Sequence, residues 1–348
     1  MAKKEENKPD SFQQLKTSLR QKQADRLYFF HGEEVFLLHH YLGQLRKLLV
    51  DELTESFNSH KLTAETFDIR AFADAVENLP MMAETTFVWV DEVDIFKMNE
   101  ADREKMIDIF SDIPDYCTVV FTYETTSFKP DKRLKKLWDA FSCGQIVDFE
   151  KQSQRDLVVW IQRHFRARGK QIAPELCAYL VEITDGTMTS IAGEIAKIAA
   201  YSGADTICKA DIDAVTEPAL DAVVYRMTDF LAAGDYGQAL VLLQKLLKMQ
   251  EEPLGILGYI GSQFRRISLA RTLLDNGKTA SDLMKLASCA DFVARKTMES
   301  ARRFTPKFCA RASALILETD YKMKTSFDDS QRLLELLLLR LSQEAKNG

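Results

Sequence analysis

Hydrophobic and polar positions are arranged in two different ways along the chain. In residues 1–150, short apolar runs of strand length alternate with stretches whose apolar residues recur at helical spacing. The predicted strands are Leu27–His31, Glu65–Ile69, Phe87–Val90, Thr118–Tyr123 and Gln145–Phe149, and the predicted helices are Glu33–Val50, Ala71–Asn78, Asn99–Phe110 and Pro130–Phe141. This alternation predicts an α/β domain with a doubly wound, mostly parallel sheet.

From Ser153 onward the pattern contains helices and no convincing strand. A small helical group comprises Gln154–Arg168, Ala173–Thr184, Thr189–Tyr201 and Lys209–Val215, with turns at Gly169, Gly186 and Gly203. Longer amphipathic helices are predicted at 221–233, 235–249, 253–275, 279–287, 291–302, 306–323 and 327–345. The chain is therefore predicted to have three domains: α/β at 1–150, helical at 151–216 and helical at 217–348.

Composition is that of a globular protein with room for two or three cores, since 46% of the 348 residues are hydrophobic and 28% are charged. The six cysteines include no Cys-x-x-Cys pair, which argues against a structural zinc site and a disulfide scaffold. Residues 1–8 lack an apolar core and no run of 18 apolar residues occurs, so we expect a cytoplasmic protein with no membrane contact.

The strand Phe87-Val-Trp-Val-Asp-Glu92 ends in an acidic pair of the kind with which ATPases hold magnesium and activate water. A phosphate-binding loop should precede it, with Gly-x-x-x-x-Gly-Lys-Ser/Thr between a strand and a helix. Counting from Gly32, the required glycine, lysine and hydroxyl positions are Leu37, Leu38 and His39. Without a phosphate site, Asp91 and Glu92 are interpreted as solvated or capping carboxylates, with magnesium binding as the alternative.

Other chemistry finds little support in the residues. Gly277-Lys278-Thr279 has Thr272 where a phosphate loop needs glycine and follows a helical stretch, so Gly277 is interpreted as a helix C-terminal glycine. The five histidines include no His-x-x-x-His pair, and no Gly-x-Ser-x-Gly elbow occurs. The sequence therefore predicts no catalytic residue, metal ligand or cofactor-binding residue.

Three ordered motifs resemble the delta subunits of bacterial DNA polymerase III clamp loaders. They are Glu251–Arg266, which ends in Gln-Phe-Arg-Arg; Ala290–Lys296 with Ala301–Phe304; and Leu317–Lys324. The resemblance spans essentially the whole chain. It implies an inert AAA+-like α/β domain, a small helical lid domain and a C-terminal helical collar domain that serves oligomerisation.

The resemblance also implies that this chain does not hydrolyse ATP. Active relatives place an arginine early in the third lid helix, where this sequence has Met188. No Ser-Arg-Cys segment that would carry an arginine finger follows the fourth strand. The chain alone is then not an enzyme, although as a holoenzyme subunit it would be classed with DNA-directed DNA polymerase, a nucleotidyltransferase.

In this family, apolar side chains after the second helix of the ATPase-like domain open the sliding clamp. The matching segment, Asn78–Thr86, places Met81 and Met82 at the plug positions, with Leu79 beside them. Methionine suits an adaptable apolar pocket, and Pro80 restricts the backbone. The alternative is that both methionines cap the core at a helix end.

Basic residues before and within the helix after the fourth strand are a second candidate contact, in this case with DNA phosphates. The resemblance implies that this helix faces primed DNA, and the residues are Lys129, Lys132, Arg133 and Lys136. A solvated helix face is the alternative. A group of arginines and lysines in the predicted collar domain is explained at least as well by salt bridges at subunit interfaces as by DNA contact.

The expected partners are the sliding clamp, the ATP-binding loader subunits of the gamma or tau and delta-prime type, and primed DNA. Two rival functions stand beside the clamp opener. One is a nucleotide-dependent ATPase that uses Asp91 and Glu92 with an unconventional phosphate site near Gly32. The other is a helical adaptor with no DNA role, which would not bind a clamp.

Overall fold

The computed structural model describes residues 11–184, 186–289 and 291–347, and the prediction made from residues 1–8 lies outside these ranges. The chain forms two compact units, Met1–Lys151 and Gln152–Gly348. Within the described residues, no helix is both long enough and apolar enough to cross a bilayer.

The first unit is built on a five-stranded parallel sheet, which confirms the predicted α/β class. Its strand order is β2-β3-β4-β1-β5, with Phe29 of β1 opposite Phe121 of β4 and Ile146 of β5. The strands are β1 (Leu27–His31), β2 (Ser59–Thr63), β3 (Thr86–Asp91), β4 (Cys117–Tyr123) and β5 (Gln145–Asp148).

Helices cover the sheet, and aromatic side chains from both strands and helices fill the core between them. All seven residues of β4 are buried, as expected for a central parallel strand covered on both faces. The Phe29 ring lies 5.2 Å from Phe121, 5.8 Å from Phe110 and 4.0 Å from Phe141 between centroids. The helices are α1 (Ser11–Arg20), α2 (Val35–Leu49), α3 (Glu55–Asn58), α4 (Ile69–Glu77), α5 (Glu100–Ser111) and α6 (Lys135–Phe141), with a 3-10 turn at Ile95–Lys97.

One strand prediction in this unit is wrong. The second strand is Ser59–Thr63 and not Glu65–Ile69. β2 lies at the edge of the sheet, so its half-exposed residues carry no apolar run. Asp68, inside the predicted strand, instead caps α4 by accepting hydrogen bonds from the N–H groups of Arg70 and Ala71.

The second unit is helical, with one small exception. Two-residue strands β6 (Gln171–Ile172) and β7 (Thr206–Ile207) pair in parallel, which corrects the expectation of no strand after Ser153. They are too short to produce a periodic pattern. The helices that pack around them are α7 (Gln154–Arg166), α8 (Pro174–Ile183), α9 (Met188–Tyr201) and α10 (Lys209–Val215).

The remaining helices share one apolar core that runs from Val223 to Leu341. Gly277 ends the long helix α13 with φ +66°, as predicted, and Lys278 donates a hydrogen bond back to the Leu273 carbonyl at 2.9 Å. The helices are α11 (Leu220–Ala232), α12 (Tyr236–Lys248), α13 (Pro253–Asp275), α14 (Ala280–Ala287), α15 (Asp291–Ala301), α16 (Pro306–Thr325) and α17 (Ser330–Asn347).

The predicted lid and collar domains lie together in the second unit. The contacts that connect them include a hydrogen bond from the Ala219 N–H to the Ile183 carbonyl at 2.7 Å and an ion pair between Lys296 and Glu182. The boundary at residue 216 thus remains a prediction.

Candidate functional site

The loop between α4 and β3 carries the three residues predicted to contact a clamp. Their side chains are strongly exposed: Leu79 by 73%, Met81 by 56% and Met82 by 95%. These exposures exclude the alternative in which both methionines cap the core. A cluster of exposed apolar side chains on a short loop is typical of a protein-binding surface.

A buried asparagine from a different segment holds this loop. The Asn58 side chain accepts a hydrogen bond from the Met81 N–H at 2.7 Å and donates one to the Met81 carbonyl at 2.9 Å. At the ends of the loop, the Thr85 hydroxyl donates to the Leu49 carbonyl and the Tyr116 hydroxyl donates to the Glu77 carbonyl. The apolar tip therefore has a fixed backbone.

The first acidic residue at the end of β3 is engaged on both carboxylate oxygens. Asp91 Oδ1 accepts a hydrogen bond from the Thr122 hydroxyl at 2.8 Å, and Oδ2 lies 3.1 Å from Lys61 Nζ. The same lysine lies 3.6 Å from the centroid of the Trp89 ring, whose Nε1–H donates to Thr122 Oγ1. Asp91 thus joins the end of β3 to Lys61 of β2 and Thr122 of β4.

The second acidic residue caps the loop that follows β4. Glu92 accepts hydrogen bonds from the N–H groups of Glu124 at 2.5 Å, Thr125 at 2.9 Å and Thr126 at 2.6 Å, and from the Thr125 hydroxyl at 2.9 Å. Burial raises the pKa of Glu92, but these hydrogen bonds outweigh it and lower the pKa to about 2. The structure thus agrees with the interpretation of Glu92 as a capping carboxylate.

Backbone and carboxylates fill the turn after β1, where a phosphate loop would lie. Gly32 has φ +131°, and a Cβ there would lie 2.4 Å from the Phe149 carbonyl oxygen. The Glu34 N–H donates to that same oxygen at 2.8 Å. Burial raises the pKa of Glu34 to about 7, although the Phe36 N–H and Lys151 oppose the shift. A buried carboxyl group at the start of α2 leaves this turn without the cation that a phosphate loop supplies.

The predicted DNA-contacting residues lie mostly in a turn rather than in a helix. The helix begins at Lys135 and not at Pro130, because Asp131 accepts hydrogen bonds from the Arg133 N–H and guanidinium. Lys132 lies 5.1 Å from the Trp138 ring centroid. Within the described parts of the chain, Lys129, Lys135 and Lys136 are exposed and form no ion pair. Arg133 is also exposed but is paired with Asp131, so the predicted phosphate contacts of the lysines and of Arg133 remain predictions.

Sequence patterns do not indicate the residues that support these features, which are Asn58, Thr122 and the Thr125-Thr126 loop. Asn58 stands 23 residues from its partner Met81. A polar residue at the end of a short helix gives no sign of such a distant contact. The only available signal for the loop was a hydroxyl-rich stretch after an apolar strand.

The sheet and the helical unit together define an α/β protein with a helical C-terminal half. The model of the family "DNA polymerase III, delta subunit" matches residues 28–143, and that of "DNA polymerase III delta subunit, C-terminal domain" matches residues 221–341. Together they cover more than half of the chain. The chain belongs to the DNA polymerase III delta subunit family.

Relatives along nearly the full length agree with this assignment. DNA polymerase III subunit delta of Bacillus subtilis (strain 168) is 26% identical over 332 residues, which is 93% of this chain and 95% of that one. A probable DNA polymerase III subunit delta of Aquifex aeolicus (strain VF5) is 21% identical over 338 residues, 96% of each chain. The solved structure of the Bacillus subtilis DNA clamp loader delta protein covers 96% of this chain and 99% of its own, with a TM-score of 0.70 at 24% identity, and so shares the fold.

Proposed function

We propose that this chain is a clamp-loader delta subunit that binds and opens a sliding clamp during DNA replication without hydrolysing ATP. The observation that carries the proposal is the loop with Leu79, Met81 and Met82 exposed on a backbone held by Asn58. A loop of this kind fits an apolar pocket on a protein partner. The loop would favour the open clamp by binding the open form more tightly than the closed form.

The proposed partners are those that membership of this family and the likeness to a clamp loader delta protein suggest. They are the sliding clamp and the ATP-binding loader subunits of the gamma or tau and delta-prime type. The collar helices α11 to α17 would join the latter. The exposed lysines Lys129, Lys132 and Lys136 would contact the phosphates of primed DNA in the assembled loader.

Lack of ATP hydrolysis is supported by the geometry of three acidic residues. Glu92 makes four hydrogen bonds to the loop after β4, so its carboxylate is not free to activate water. Asp91 is paired with Lys61 and Thr122. Glu34 is buried at the start of α2, where the phosphates of a nucleotide would need to lie.

Calorimetric titration of the purified chain with a cognate clamp, without nucleotide, tests the proposal. We expect the double variant Met81→Ala/Met82→Ala to bind at least about 10-fold more weakly, because each methionine loses apolar burial worth roughly 1.5–3 kcal/mol when fully buried. Leu286→Ser, which removes a similarly exposed apolar side chain from α14, is the matched control and should bind as wild type. Failure of the wild-type chain to bind would overturn the proposal and favour a helical adaptor.

The rival ATPase function has its own test. Titration with a fluorescent ATP analogue should give no saturable binding to the wild-type chain, and Asp91→Asn should change nothing. Measurable ATP affinity that is lost in Asp91→Asn would establish the rival and contradict the proposed inert site.

A further inference from the structure

Three apolar side chains on one short loop need a reason to remain in solvent. Apolar groups on an unrestrained loop collapse onto the protein surface and bury themselves. Between α4 and β3, Asn78 to Thr85, the loop has no strand partner. Within the described residues, the only hydrogen bonds to residues 79–84 are the two that Met81 exchanges with Asn58.

The Asn58 amide is buried, and its nitrogen and its oxygen both form hydrogen bonds. Its exposed fraction is 0%. Its Nδ2 donates to the Met81 carbonyl at 2.9 Å and to the Thr54 carbonyl at 3.2 Å, while Oδ1 accepts from the Met81 N–H at 2.7 Å. An amide that donates to and accepts from one residue imitates the pairing of a β-ladder. Aspartate cannot supply the donor, and an apolar residue supplies neither group.

The neighbouring residue has the backbone conformation that this anchoring requires. Met82 has φ +56°, in the left-handed region that non-glycine residues rarely adopt. The same residue is 95% exposed. With both the N–H and the carbonyl of Met81 held by Asn58, the chain turns at Met82 and the Met82 side chain is exposed to solvent.

We propose that Asn58 is a positioning residue for the clamp contact. It fixes the Met81 backbone so that Leu79, Met81 and Met82 are presented as a preformed apolar surface, and the clamp is spared the entropic cost of ordering the loop. This inference rests on the proposed clamp-binding function. Asn58 itself, being buried, touches no partner.

A double-mutant cycle on clamp affinity separates positioning from general stability. Asn58→Asp keeps the shape and the acceptor but loses the donor, and we expect about a 10-fold loss of clamp affinity. In the Met81→Ala/Met82→Ala background the same change should have little further effect, since the surface it positions is gone. Thr118→Val, which removes a different buried hydrogen bond, to the Asp25 carbonyl, is the control and should leave clamp affinity unchanged.

Amide hydrogen exchange on the free wild-type chain tests the same idea without a variant. The Met81 amide should exchange at least 10-fold more slowly than those of Leu79 and Ala83, because only Met81 has a partner in this loop. Equal exchange rates at the three amides would overturn the inference, even if Asn58→Asp does not fold.

The outcomes of the cycle distinguish this inference from the proposed function. If the methionine variant loses affinity and Asn58→Asp does not, the clamp contact stands and the role of Asn58 is overturned. If Asn58→Asp weakens binding equally in both backgrounds, Asn58 acts on stability and not through the loop. If the methionine variant binds as wild type, the clamp contact itself is wrong.

Discussion

At the scale of single residues, an acidic pair that resembles an ATPase motif serves here to hold strands and loops together. Asp91 connects three neighbouring strands through Thr122 and Lys61. Glu92 organises the turn after β4 from a left-handed backbone, with φ +62°. The same two residue types can therefore fill the same place in a sheet for a purely structural reason.

Replacement of Glu92 measures this structural role. Glu92→Gln cannot accept hydrogen bonds from all four donors, and the hydrogen bonds that remain are no longer made to a charged carboxylate. We therefore expect the free energy of unfolding to fall by about 1–3 kcal/mol. Urea unfolding at pH 7 gives the value, with the exposed Glu65→Gln as control. The folded-state pKa lies below the unfolded one, so the contribution of Glu92 is present above pH 4.5 and is lost as the pH falls towards about 2. Equal stability of wild type and Glu92→Gln at pH 7 would contradict the role.

Glu34 should make stability depend on pH in the opposite direction to Glu92. Its folded-state pKa is about 7 against an ordinary value of 4.5, so its contribution is fully present below pH 4.5 and is lost as the pH rises through 7. We expect Glu34→Gln to be more stable than wild type at pH 8, by at most about 3 kcal/mol, and the difference to shrink towards pH 5. Thermal unfolding at both pH values measures it, and a pH-independent difference would show that Glu34 does not titrate in this range.

At the scale of elements, the sequence predicted best what is buried on both faces. The centre of the sheet, β3, β1 and β4, was found from continuous apolar runs, and α13 from its long repeat ending at Gly277. The edge strand β2 was misplaced because its residues are only partly buried and carry no apolar run. Asn58 was missed because its partner is remote in sequence, and local patterns do not record such contacts.

Before and at the start of α6, exposed lysines with no ion pair in the described part of the chain lie close to the paired Arg133, which gives a test of DNA contact. In the reconstituted loader on primed DNA, Lys129→Ala/Lys136→Ala should reduce the slope of log affinity against log salt by roughly 0.7–0.9 for each lost phosphate contact. Arg133→Ala should leave the slope unchanged, because Asp131 already holds that guanidinium. An unchanged slope for the lysine variant would show that these lysines are solvated surface residues that do not contact DNA phosphates.

At the scale of the whole molecule, the chain consists of two units with separate cores. The aromatic core of the sheet lies in the first unit, and the apolar core from Val223 to Leu341 lies in the second. The formal net charge of −6 is an average over the whole chain and does not reveal the local group of lysines before and at the start of α6 that we propose contacts DNA.

The division into units predicts that the helical part folds by itself. A fragment of residues 152–348 should unfold cooperatively in urea and show a helical circular dichroism spectrum, because its core needs no residue of the sheet. It should not bind the clamp, since it lacks the loop at Leu79–Met82. An unfolded fragment would show that the second unit depends on the first.

The exposure of Met82 also makes the proposed contact sensitive to oxidation. A thioether that is 95% exposed reacts with peroxide before buried methionines such as Met106, Met188 and Met227 do. The sulfoxide is polar and fits an apolar pocket poorly. Clamp loading would then decline under oxidising conditions while the fold stays intact, and methionine sulfoxide reductase would restore it.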